Sequence, residues 1–88
     1  MILEESVLKG IAVLAQGEYA TDHGGQAQVS LVAGRGEIQI LADGTAWYLN
    51  WSADHVLLDV IELTMPIEGS AVFIAAWLVE QADKYKEF

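Results

Sequence analysis

The sequence predicts an α+β domain: four antiparallel strands in a meander, flanked by an N-terminal and a C-terminal helix, in the order α-β-β-β-β-α. Three observations carry this expectation. Between Val29 and Trp51 apolar and polar residues alternate with period two, interrupted by the turn signals Gly34-Arg35-Gly36 and Asp43-Gly44. From Leu3 to Gln16 the apolar residues recur at helical three- and four-residue steps. Ala71 to Val79 is an unbroken apolar run, AVFIAAWLV, inside what reads as a closing helix.

The first helix places Leu3, Val7, Leu8, Ile11 and Leu14 on one face, with Glu4 and Glu5 in the first turn where the helix dipole favours negative charge. Gly10 costs this helix up to ~1 kcal/mol relative to alanine, so packing must hold it. Gly17 is the expected C-cap. Residues Glu18 to Gln28 are polar and contain Gly24-Gly25, which predicts a flexible loop bearing Asp22 and His23.

Three strands follow. Val29 to Ala33 comes first, then Glu37 to Ala42 with Ile38 and Ile40 on one side, then Thr45 to Trp51. Asp43-Gly44 predicts a hairpin with positive φ at both turn positions. On the third strand the Trp47, Leu49 and Trp51 stripe is expected to be the side on which the helices pack, with Ala46, Tyr48 and Asn50 opposite. Val56 to Met65 suits a strand or a helix; its central β-branched residues and the terminating Pro66 favour a fourth strand. Ser70 then caps a helix running to about Lys86, with Lys84 and Lys86 complementing its dipole.

At 88 residues the chain fits a single domain, 1–88. Thirteen acidic residues against four basic ones give a net charge of −9, which repels nucleic acid and anionic membrane and predicts a protein partner with a basic surface. There is no cysteine, hence no disulfide, thiolate metal site or thiol nucleophile. No apolar run approaches the ~18 residues of a membrane span, and the N-terminus lacks the basic region of a signal peptide. A soluble, cytoplasmic protein is expected.

Catalytic resources are thin. His23 and His55 each follow an aspartate, but neither spacing makes a ligand motif, and no metal or other cofactor is expected. No serine stands in a nucleophile elbow. The chain is therefore expected not to be an enzyme. In size and charge it is similar to small phage-encoded inhibitors of bacterial defence, such as anti-CRISPR proteins, and to immunity proteins that neutralise toxins; the likeness is one of dimensions and rests on no motif.

The expectation is a small acidic inhibitor or interaction protein. Its binding residues would be Arg35, Glu37, Asp43, Tyr48 and Asn50 on the hairpins, joined by Asp22 and His23 in the loop. An all-apolar helix needs cover on every side, so a homodimer is expected, with Val72, Phe73, Ala76 and Trp77 at its interface. Two other classes fit the composition: a small-molecule sensor with a pocket between the tryptophan face and the last helix, and a subunit of a larger assembly.

Overall fold

The computed structural model describes residues 2–22, 24–66 and 69–88. Helix α1 (Glu5–Ala15) leads into strands β1 (Glu18–Thr21), β2 (Ala27–Ala33), β3 (Gly36–Leu41), β4 (Ala46–Trp51) and β5 (Leu57–Leu63), and helix α2 (Ala71–Lys84) follows. All pairings are antiparallel between sequence neighbours, so the sheet order is β1-β2-β3-β4-β5. The α+β class holds, but the sheet has five strands where the sequence predicted four.

The additional strand comes from the segment read as loop. Glu18 to Thr21 pairs with Ser30 to Ala27. The turn beyond it is closed by Asp22, whose carboxylate accepts the backbone N–H of Gly24 at 2.9 Å and of Gln26 at 2.8 Å. An aspartate bonding its own downstream backbone is an Asx turn. Its polarity hides the strand: an edge strand of four residues needs no apolar alternation. His23 lies outside the described residues.

Leu3 is not helical. Its N–H donates to the Ala42 carbonyl at 2.8 Å, which seats the leucine, buried, against the end of β3. Helix α1 therefore starts two residues later than the spacing predicted. It ends on Gln16, which takes the left-handed conformation (φ 58°) expected of Gly17. Gly10 sits where α1 meets α2: a Cβ there would lie 3.2 Å from Ala71 Cβ. Close helix approach accounts for a glycine that helix propensity disfavours.

Helix α2 begins as predicted, with Ser70 Oγ accepting the Phe73 N–H at 3.4 Å. The β3–β4 connection differs from expectation. Only Gly44 has positive φ (88°), while the Asp43 carboxylate accepts from the Thr45 N–H and hydroxyl at 3.0 and 2.6 Å. The bond from the Leu41 N–H to the Thr45 carbonyl closes a three-residue loop with its glycine in the left-handed position.

The helices lie side by side on one face of the sheet, α1 over β1 and β2 and α2 over β2 and β3. Between the layers, Leu8, Ile11, Ile74 and Leu78 meet Val29, Ile38, Ile40 and Tyr48, all with no exposed surface. Burying each such leucine or isoleucine is worth roughly 1.5–3 kcal/mol.

The register fixes which side of β4 faces this core. Ile38 opposes Tyr48, Ile40 opposes Ala46 and Gly36 opposes Asn50, and residues directly opposite share a face. Ala46, Tyr48 and Asn50 thus point toward the helices, and Trp47, Leu49 and Trp51 point away. This reverses the expected assignment of the tryptophan stripe.

Candidate functional site

The face of the sheet that no helix covers is the most unusual surface of the molecule. One row across it runs Val32, Glu37, Leu49, Val60; the next runs Ser30, Gln39, Trp47, Glu62; Trp51 and Leu57 pair beyond them. Val32 is 76% exposed, Val60 52% and Trp51 41%, while Trp47 and Leu49 are half-buried by their neighbours. Monomeric proteins normally keep such apolar patches small or use them for binding.

The charges on this face have one sign. Glu18, Glu37 and Glu62 stand on it, and none of the four basic residues does: Lys9 lies on α1, Arg35 in the β2–β3 turn, Lys84 at the end of α2 and Lys86 beyond it. Glu37 accepts a hydrogen bond from the Gln39 side chain at 2.7 Å, which orients its carboxylate along the sheet. Trp47 Nε1 donates to Thr45 Oγ1 at 3.3 Å, tying the indole back to the residue that precedes β4.

The residues singled out from the sequence are dispersed over the fold. Glu37 lies on the open face. Asp22 and Asp43 sit in the turns at one end of the sheet, each carboxylate engaged by its own loop; the hydrogen bonds from Thr45 hold the Asp43 carboxyl below the usual range. Arg35 occupies the turn at the opposite end, exposed, its backbone N–H donating to the Phe88 carbonyl at 3.1 Å.

Tyr48 and Asn50 must be corrected as surface residues. Tyr48 is wholly buried and Asn50 nearly so, its amide donating to Asp59 at 3.1 Å. They face the helix layer because the hairpin register turns them there. The register also removes the imagined sensor pocket, since the tryptophan face and α2 lie on opposite sides of the sheet. A different hollow of about 610 Å³, lined by Leu3, Leu8, Tyr19, Ala27 and Asp43, opens broadly to solvent between α1 and the β1–β2 loop.

On the outer surface of the helix layer, Val72, Phe73 and Ala76 are exposed together with Val13, Leu14 and Val79. A groove runs between Leu14 on α1 and Val72, Ala76 and Val79 on α2. Trp77, one turn beyond Phe73, is half-buried and packs against the core.

Among the described residues no group of acidic and histidine side chains is placed to hold a metal ion, and no helix is long and apolar enough to cross a membrane. No protein-family model, curated protein or solved structure matches the chain.

Proposed function

We propose that the protein is a small, non-enzymatic interaction module whose uncovered sheet face docks the basic surface of another macromolecule. The observation that supports this most is the pairing of an apolar stripe, exposed Val32, Trp51 and Val60 around half-buried Leu49, with a surround of carboxylates and no cation. Tryptophan dominates interface energetics when a partner excludes water from it. The carboxylates add complementarity and steer a cationic partner into encounter. In its most specific form the reading is inhibition of the anti-CRISPR or immunity type: the acidic sheet occupies a surface that otherwise receives nucleic acid or substrate.

The helix layer supports a second contact, between two copies of the chain. Val13, Leu14, Val72, Phe73, Ala76 and Val79 carry no charge in a chain of net −9, so two copies approach there with least repulsion. The homodimer then leaves both sheet faces outward.

A photo-crosslinking residue placed in turn at Val32, Trp51, Val72 and Phe73 tests both contacts in cells. The expected outcome is a partner captured from Val32 and Trp51, and chain-to-chain products from Val72 and Phe73. Capture of a partner from the helix positions alone would overturn the assignment of the sheet face.

A further inference from the structure

Strand β5 ends the sheet, and nothing pairs with its outer side among the described residues. It is seven residues long, Leu57 to Leu63, and among the described residues β4 is the only element it lies against; the other edge, β1, has four residues with α1 over it. Every second backbone N–H and C=O of an edge strand points outward and unpaired. Proteins commonly guard such edges with lysine, proline or a covering helix. Among the described residues β5 has no lysine, proline or covering helix, and the guards it carries are two carboxylates and a bulge near its start. Leu57, Leu58 and Val60 are exposed, and a register break where Trp51 meets Leu57 leaves Leu58 as the extra residue.

The acids on this strand discriminate between occupants. Asp59 shares the helix side with Asn50, and Glu62 shares the open side with Trp47. A second copy brought edge to edge would add two more carboxylates to that seam, each on a chain of net −9, and like charges across a strand pair are destabilising. A cation is favoured on either face. A lysine or arginine opposite Glu62 would also lie in the row of the Trp47 ring, within the reach of a cation–π contact.

We propose that β5 takes an extended, cationic segment of the partner as a sixth strand. Main-chain hydrogen bonds supply affinity and side-chain pockets supply selectivity in this mode of recognition. The spacing of Asp59 and Glu62 defines the segment: two basic residues three positions apart, one for each face, among β-branched neighbours. This deepens the reading of the chain as a binder of basic partners and rests on it.

The test uses a seven-residue peptide of threonine and valine with lysines at its second and fifth positions, titrated into the isotope-labelled full chain. Two further versions are N-methylated on alternate backbone amides, one set each, and a fourth carries glutamates for lysines. Binding of the lysine peptide should shift amide resonances along Leu57 to Leu63. One N-methylated version should bind about tenfold more weakly, having lost several backbone bonds, and the glutamate version should not bind. Glu62→Lys should weaken the lysine peptide and strengthen the glutamate one.

Equal affinity for all three lysine peptides, with shifts confined to Val32, Leu49 and Trp51, would overturn strand addition while leaving the acidic sheet face as the docking surface. Exchange protection of β5 amides by self-association in the free protein would also overturn it. Failure of every peptide at millimolar concentration would do the same.

Discussion

Tyr48 on β4 and Tyr85, just beyond α2, stack with ring centroids 4.4 Å apart and planes 15° from parallel, and Phe88 meets both edge-on. This aromatic triad packs the C-terminal residues onto the helix side of β4. The Tyr48 hydroxyl has no hydrogen-bond partner among the described residues although it is fully buried.

A buried hydroxyl without a partner costs stability and contributes nothing back. Tyr48→Phe keeps the ring stack and should raise the unfolding free energy by about 1 kcal/mol, whereas Tyr85→Ala, which removes a stacked ring, should cost about 2 kcal/mol or more. Urea unfolding followed by tryptophan fluorescence distinguishes the two; a destabilised Tyr48→Phe would mean that the hydroxyl is satisfied.

Burial pushes the Tyr48 phenol above its ordinary range, and the nearby Asp59 carboxylate adds to the shift. A group whose folded-state value is raised holds its proton better in the folded state. Its contribution is complete below the unfolded value of about 10 and is lost as the pH rises through the folded one. Stability should therefore fall above about pH 10, and Tyr48→Phe should flatten that limb. Midpoints of urea unfolding taken from pH 9 to 11.5 give the comparison, and parallel curves for the two proteins would contradict it.

Glycine positions should divide sharply. A Cβ on Gly36 would run into the Leu49 carbonyl oxygen on the neighbouring strand, whereas one on Gly24 would meet only Asp22 Oδ1 at 3.5 Å. Gly36→Ala should cost about 2 kcal/mol or more, by forcing β3 and β4 apart at the turn end of the central strand, and Gly24→Ala should stay within about 0.5 kcal/mol. Thermal melts of both variants suffice.

The open face should separate binding from folding. Val32→Asp and Trp51→Glu replace exposed side chains that no helix packs against, so each should change stability by no more than about 1 kcal/mol. Each should nevertheless abolish the partner crosslinks described above. Loss of folding in both would place these residues in the core after all.

The error over the tryptophans shows what the sequence did and did not make legible. Alternation on β4 defines two faces but not which is inward, and side-chain size favours Trp47, Leu49 and Trp51. The neighbouring strand carries the missing information. Once Ile38 and Ile40 are taken as core, the three-residue loop at Asp43 puts Ala46 and Tyr48 on their side, and small Ala33, Gly36 and Ala46 leave room for the helices.

Other features were readable locally. Ser70 as a cap, the places of the two turns and the strand character of Leu57 to Leu63 each depend on a few adjacent residues. Strand β1 was not readable, because a short polar edge strand is specified by its partner and by the Asp22 turn rather than by any pattern of its own. Of the candidate site, the acidic character and Glu37 were legible. The gathering of Val32, Leu49, Val60 and Glu62 on one face depends on pairings across four strands.

Because every strand pairs with its sequence neighbour, the sheet can grow hairpin by hairpin with short loop closures, which favours rapid folding. The helix layer has the opposite character, since α1 and α2 meet across nearly the whole chain. The sheet and α1 can therefore be in place before α2 docks. Ile38, Ile40 and Tyr48 stay uncovered until it does, and in that interval the folding chain shows an apolar surface that invites aggregation.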